Sequence, residues 1–145
     1  MKLVLDTSVI VAAVRSDAGA SRQLLIAALE ERFEMLLSVA LALEYEAVLK
    51  RPQQLAASRA TVQQIDRLLS AMITVARPVH RLFSWRPVLK DADDEMVLEV
   101  ALSGNADLLV TFNCRDFKMV GASWGFNVAT PQEALRRISR DDEKQ

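Results

Sequence analysis

Near its amino terminus the sequence reads Lys2-Leu3-Val4-Leu5 and then becomes polar at Asp6-Thr7-Ser8. A short apolar run that ends in polar residues is typical of a strand buried on both faces. The run Leu108-Leu109-Val110-Thr111 has the same character, and Phe33–Leu37 and Phe126–Ala129 are two further strand candidates. We therefore predict a sheet whose strands are largely enclosed by the rest of the chain.

Helices are predicted between these strands, because capping residues precede apolar-periodic runs there. The predicted capping residues are Ser21, Ser38, Ser58 and Thr130. Two of the helices span Val39–Lys50, which ends before a proline, and Asp94–Ser103. Strands that alternate with helices of about a dozen residues indicate an α/β protein with a parallel sheet covered on both faces. We expect one domain over residues 1–139 and a frayed polar tail over 140–145.

The composition allows a sizeable core and excludes several classes of protein. Of 145 residues, 51% are hydrophobic, and the net charge is −1, so the protein as a whole does not attract nucleic acid by its charge. Cys114 is the only cysteine, which excludes an internal disulfide and fits a reducing compartment. No leader and no apolar run of the roughly 18 residues that a membrane span needs are found. We expect a cytoplasmic protein.

Three carboxylates are predicted to face the interior from three different elements. Asp6 directly follows a buried strand, and ligands of open α/β sheets bind beyond the carboxyl ends of the strands. Glu44 has apolar neighbours three and four residues away, and Asp94 begins the apolar stripe of its helix. Buried carboxylates are costly unless they are paired or bound to a metal. Oxygen ligands suit Mg²⁺ or Mn²⁺, whereas one histidine and one cysteine do not supply the ligand sets of the usual zinc sites.

A simpler interpretation exists for each of these carboxylates. Asp94 belongs to the acidic cluster Asp91-Ala92-Asp93-Asp94-Glu95, and acidic residues are favoured in the first turn of a helix or as its cap. Asp6 could be a turn residue, and Glu44 could lie at the rim of a helix whose phase is misjudged. The metal interpretation gains weight because three separate elements each supply one inward carboxylate.

Several motifs of the chain occur together in a characteristic order. They are Leu3–Ser8, Glu44 within Leu43–Pro52, Asp91–Asp94, Ala106–Asn113 with Asp116-Phe117, and Val128–Glu133. With this ordered set, which runs nearly end to end, the sequence resembles PIN-domain proteins of the VapC-like kind, the toxins of toxin–antitoxin pairs. Each motif alone is weak, whereas the ordered set is specific.

The resemblance implies a three-layer α/β/α fold around a parallel sheet of about five strands. It also implies a Mg²⁺- or Mn²⁺-dependent ribonuclease in which Asp6, Glu44 and Asp94 are the main catalytic and metal-binding residues. The fourth acidic position of the family falls at Asn113 or at Asp116, and an asparagine there brings an oxygen but no charge. The implied partners are an RNA substrate, a cognate antitoxin and a second copy of the chain in a homodimer.

The hypothesis for the mechanism is metal-assisted hydrolysis of an RNA phosphodiester. The three main carboxylates hold one or two ions, and Asp91 and Asn113 act directly or through water. The ion lowers the pKa of a water molecule that attacks the phosphorus, so no protein nucleophile is needed. Basic and aromatic residues within 77–90 are candidates for RNA contact; the alternative is a structural role in which these side chains lie over a strand.

Two other classes of function remain. A non-catalytic PIN-like module that only binds RNA or a protein would explain the missing fourth carboxylate. A phosphotransfer enzyme with Asp6 as nucleophile is a poor alternative, because haloacid-dehalogenase-like phosphatases carry a second aspartate two residues later and this chain has Ser8.

Overall fold

The computed structural model describes residues 1–80 and 92–144, apart from the side chains of residues 92 and 93. Five strands form one sheet in which every pair of neighbours is parallel, in the order β3-β2-β1-β4-β5. The strands are β1 (Lys2–Leu5), β2 (Glu34–Leu37), β3 (Arg77–Pro78), β4 (Leu108–Val110) and β5 (Asn127–Ala129). The predicted three-layer α/β/α architecture with a five-stranded parallel sheet is confirmed.

Eight helices in the described residues cover the sheet. They are α1 (Thr7–Arg15), α2 (Ala20–Leu29), α3 (Val39–Leu49), α4 (Pro52–Ser58), α5 (Val62–Val75), α6 (Ala92–Ser103), α7 (Cys114–Trp124) and α8 (Pro131–Glu143). None of the helices in residues 1–80 and 92–144 has the length and hydropathy that crossing a lipid bilayer requires.

The two central strands, β1 and β4, form the middle of the core. Leu3, Val4 and Leu5 of β1 and all three residues of β4 are fully buried. Their register pairs Leu5 with Val110, so the two strands end side by side. Residues that follow these ends are thereby brought to the same edge of the sheet.

Two of the predicted helix caps are confirmed and two are wrong. The Ser38 hydroxyl accepts a hydrogen bond from the Leu41 amide, and the Thr130 hydroxyl accepts one from the Glu133 amide. Ser21, however, lies inside α2 and is buried. Ser58 ends α4, and α5 begins instead after Thr61, which forms a reciprocal capping box with Gln64.

Other differences from the sequence prediction concern the second half of the chain. The helix α7 was not predicted, and α8 continues to Glu143, beyond the expected domain end at residue 139. The edge strand β3 lies at Arg77–Pro78, whereas the candidate RNA-contact residues 81–90 lie outside the described residues.

The helix α7 packs closely on the chain that leads into β5. A Cβ atom at Gly121 would lie 2.7 Å from the carbonyl oxygen of Phe126, so only glycine allows this approach. Gly125 ends the helix in the left-handed conformation with φ of 84°. Phe117 is fully buried and anchors the helix to the core.

Candidate active site

Asp6 lies at the carboxyl end of β1, immediately before α1. Its backbone amide donates to the Val110 carbonyl at 2.9 Å, which continues the pairing between the two central strands. The residue is 7% exposed, and its Oδ2 accepts hydrogen bonds from the Ser8 and Thr111 hydroxyls, both at 2.8 Å. Two neutral donors from two neighbouring elements therefore fix the orientation of a nearly buried carboxylate.

The second oxygen of this carboxylate has a different environment. Within the described part of the chain, both side-chain hydrogen bonds to Asp6 end on Oδ2 and none ends on Oδ1. Next to it in sequence, Thr7 Oγ1 is buried without a hydrogen-bond partner among the same residues. A carboxylate held by hydroxyls on one oxygen, with the other oxygen available, fits a ligand of a hard divalent cation.

Tyr45 connects α3 to this edge of the sheet. Its hydroxyl donates a hydrogen bond to the carbonyl oxygen of Leu5, the residue before Asp6. The side chain is fully buried, and this burial, together with the negative charge of Asp6, raises the pKa of the Tyr45 hydroxyl well above its usual value. Tyr45 therefore remains a neutral donor that holds α3 beside the Asp6 carboxylate.

Glu44 lies next to Tyr45 on α3 and is half-buried. The buried face of α3 consists of Leu41, Tyr45, Val48 and Leu49. Ala40 and Ala47, which were expected on the same inward face as Glu44, are exposed. Leu41 and Val48, the other two residues expected beside Glu44, are buried, so Glu44 lies at the border of the core face and not in its middle.

Asp94 lies in the first turns of α6 and is half-buried. The predicted inward residues Val97, Leu98 and Ala101 of this helix are all buried, which confirms the phase of the stripe. Helix α6 packs against α3 and against the two central strands. The helices that carry Glu44 and Asp94 are thus in contact with each other. Asp91 lies outside the described residues.

Asn113 and Asp116 form a hydrogen-bonded pair at the start of α7. The Asn113 amide nitrogen Nδ2 donates to Asp116 Oδ2 at 2.5 Å, and the Asn113 backbone amide donates to Thr111 Oγ1 at 2.9 Å. Since the Thr111 hydroxyl also donates to Asp6, one hydrogen-bonded chain leads from Asp6 to Asp116. The two candidates for the fourth acidic position therefore bring one negative charge between them.

The structure unites only some of the predicted site residues. Asp6, Asn113 and Asp116 are joined through Thr111, whereas Glu44 and Asp94 come from two helices packed against each other. Among the described residues, no group of three or more histidine, cysteine, aspartate and glutamate side chains is arranged to hold a metal ion. The complete ligand set stays a prediction.

Sequence reasoning missed the roles of Ser8 and Tyr45. Ser8 stands two residues after Asp6, a spacing at which a hydroxyl can reach the carboxylate, so a local signal existed. Tyr45 is the only tyrosine of the chain, but its partner lies 40 residues away, and no local pattern indicates that contact.

Cys114 is not equipped to act as a nucleophile. Burial and the negative charge of Glu133 raise the pKa of its thiol, and Lys118 lowers it by less. The thiolate, which is the reactive form, is therefore disfavoured at neutral pH.

We expect the Asn113→Ala substitution to have a smaller effect than the loss of a direct metal ligand. It removes the hydrogen bond to Asp116 at the start of α7 and should cost about 1 kcal/mol of unfolding free energy. If Asn113 only supports the metal ligands from outside, the rate of any metal-dependent reaction falls by at most about 100-fold. Urea unfolding and a rate measurement on the same preparation check both numbers, and a larger fall in rate would make Asn113 a direct metal ligand.

A model of the PIN-domain family matches residues 2–115, which is most of the chain and includes Asp6, Glu44, Asp94 and Asn113. No curated protein matches the sequence. The match covers the first three motifs and Ala106–Asn113 of the fourth, and it ends before Asp116-Phe117 and Val128–Glu133. The chain belongs to the PIN-domain family, whose members are generally nucleases and typically use divalent metal ions.

Proposed function

We propose that this chain is a Mg²⁺- or Mn²⁺-dependent endoribonuclease whose ion is held by Asp6, Glu44 and Asp94. The observation that carries the proposal is the Asp6 carboxylate, nearly buried at the carboxyl end of the central strand, with Oδ2 fixed by two hydroxyls and Oδ1 free of hydrogen bonds from the described residues. By its resemblance to PIN-domain proteins, the sequence implies a main metal-binding carboxylate at Asp6.

Several residues around Asp6 would orient the metal ligands for the reaction. When bound, the ion would supply an activated water and offset the negative charge of the leaving oxygen. Ser8 and Thr111 orient Asp6 through neutral hydrogen bonds, which leave its full negative charge available. Tyr45 holds α3, and with it Glu44, against the end of β1. Asn113 contributes an oxygen without charge, so a second, more weakly held ion depends on Asp116 or Asp91.

The test is a cleavage assay with controlled metal content. Protein treated with a chelator should leave a single-stranded RNA intact, and added Mn²⁺ should restore cleavage, whereas DNA of the same sequence should stay uncut. A Mn²⁺ soak followed by anomalous scattering would place the ion. Cleavage that persists in chelator would contradict the proposal.

A non-catalytic RNA- or protein-binding module is the second candidate. It is favoured by one observation: Asn113 brings no charge to the fourth acidic position, and its amide group occupies one carboxylate oxygen of Asp116. An empty site at millimolar Mn²⁺, together with RNA that stays intact, would support this candidate instead.

The toxin role is a further proposal, supported by the ordered motifs that resemble VapC-like proteins. We propose that the chain acts in the cytoplasm and is neutralised by a cognate antitoxin protein. Induced expression should then stop growth of the host cell, and the Asp6→Asn variant should not. Growth arrest by both proteins would show that arrest does not depend on the metal site.

We also propose that the chain forms a homodimer through an apolar groove of about 380 Å³ between α3 and α5. Val39, Leu43 and Ile73 line the groove and are more than half exposed. Large apolar side chains grouped in one exposed surface often mark a protein contact.

The Leu43→Arg substitution is expected to weaken this self-association at least about tenfold, because it places an unpaired charge in the contact. Sedimentation measurements over a range of concentrations check the result. The control is Met119→Arg, at an exposed residue of α7 outside the groove, and it should not change the sedimentation. If the unsubstituted chain is monomeric at all concentrations, the dimer proposal is wrong.

A further inference from the structure

Phe112 is an exposed aromatic residue at the edge of the candidate active site. It directly follows Thr111, whose hydroxyl binds Asp6, and its side chain is 57% exposed although Leu108–Thr111 before it are fully buried. The backbone on both sides of Phe112 is fixed: the Thr111 amide donates to the Ala129 carbonyl, and the Asn113 amide donates to Thr111 Oγ1. The ring is therefore attached to a rigid turn, one residue from the hydroxyl that orients Asp6.

Phe112 stands where an apolar side chain can pack onto the helix that follows, but it is mostly exposed. An apolar residue just before a helix cap often packs against the fourth residue of that helix. Here that residue is Phe117, which is fully buried, while Phe112 stays mostly in solvent. Packing in the hydrophobic core therefore does not explain why an aromatic side chain stands at position 112.

The first turns of α7 supply positive charge beside this ring. Arg115 and Lys118 are exposed and three residues apart, so they lie on one face of the helix. Within residues 1–80 and 92–144, neither has an ion-pair partner. Their charges are thus available to an anionic ligand next to an acidic site that itself repels phosphates.

We infer that Phe112 is a stacking platform for a base of single-stranded RNA, next to the bond that is cut, and that Arg115 and Lys118 bind the adjoining phosphates. An exposed ring with nearby cations is the usual means of holding single strands, because every base offers a face for stacking. A base that is paired inside a duplex offers no such face. The inference rests on the proposed ribonuclease function and adds the residues that would hold the RNA beside the bond that is cut.

The test compares two variants in the Asp6→Asn background, in which RNA cleavage is expected to be about 10³-fold slower and binding can be measured. Phe112→Leu keeps an apolar side chain but removes the ring, and Trp124→Leu removes an equally exposed ring (52%) from the far end of α7. Binding of a labelled single-stranded RNA in Mg²⁺ should weaken about tenfold for the first and stay unchanged for the second. A duplex of the same sequence should bind both variants equally.

A third variant, Phe112→Trp, gives a direct signal of stacking. Single-stranded RNA should quench the added tryptophan emission, measured against the parent chain that carries Trp85 and Trp124. In the active protein, Phe112→Leu should raise KM and leave kcat nearly unchanged, since the ring holds the substrate and does not touch the reacting atoms.

The outcomes separate this inference from the proposed function. If Phe112→Leu binds single-stranded RNA as tightly as its parent while the active chain still cuts RNA, the stacking role is wrong and the ribonuclease stands. If no RNA is cut but binding and quenching depend on Phe112, the ribonuclease is wrong and the RNA-binding surface stands. Equal losses for single-stranded and duplex RNA would also overturn the stacking role.

Discussion

Replacing Asp6 with asparagine should lower the rate of RNA cleavage by about 10³-fold at saturating Mn²⁺. A bound metal stabilises the transition state by several kcal/mol, and each 1.36 kcal/mol corresponds to a factor of ten in rate. Asparagine has the shape of aspartate and keeps one oxygen for the Ser8 and Thr111 hydroxyls. Its other terminal atom is an NH₂ group, which cannot bind a cation where Oδ1 stood.

The chain offers a matched control in Asp107. This residue precedes β4 at the opposite end of the same two strands, and its carboxylate accepts a hydrogen bond from the Lys2 amide at 2.8 Å. Asp107→Asn also exchanges one carboxylate for an amide at the sheet but should change the rate by less than about twofold. Both variants should unfold at nearly the temperature of the parent, since neither change alters the packing of the core.

The result can contradict the metal hypothesis in two ways. If Asp6→Asn cuts RNA at the parent rate, Asp6 is a structural residue and the carboxylate cluster has another role. If the variant loses activity but binds Mn²⁺ with unchanged affinity, measured by titration, Asp6 acts on the substrate and not on the ion. Equal loss in Asp107→Asn would point to a general effect of the substitution on the sheet.

Part of the fold could be predicted because its signals are local. The strand β1 is a continuous apolar run closed by polar residues, so both its burial and the place of Asp6 at its end follow from the sequence. The caps at Ser38 and Thr130 were likewise predicted from the adjacent residues. Such features depend on residues that are close in sequence and do not depend on which distant parts of the chain pack against them.

Other features could not be predicted because they depend on contacts distant in sequence. The helix α3 is apolar on nearly all sides, so its periodicity does not show that Glu44 lies at the border of the buried face. The helix α7 contains Gly121, whose low helix propensity argues against a helix until its close contact with Phe126 is known. The hydrogen bond from Tyr45 to Leu5 spans 40 residues.

The hydrogen bond from the Tyr45 hydroxyl to the Leu5 carbonyl leads to the second large effect, a loss of stability in alkaline solution. In the folded chain, burial and the Asp6 charge raise the pKa of Tyr45 well above 10, the value expected in the unfolded chain. Below about pH 10 both states keep the proton, and Tyr45 makes no pH-dependent contribution. Above it, only the unfolded chain loses the proton, so the free energy of unfolding falls by about 1.4 kcal/mol for each pH unit.

Tyr45 is the only tyrosine of the chain, so this effect can be observed directly. In buffer with a chelator, the ultraviolet absorbance of tyrosinate should stay low as the pH rises and appear only together with the loss of helical circular dichroism. Tyr45→Phe should be about 1 kcal/mol less stable than the parent at neutral pH, because the Leu5 carbonyl loses its donor. The difference between the two proteins should shrink above about pH 10, since phenylalanine has no proton to lose while all other groups titrate alike in both. Tyrosinate absorbance that rises near pH 10 in the still-folded chain would show that water reaches the hydroxyl, and that Tyr45 does not hold α3 against β1.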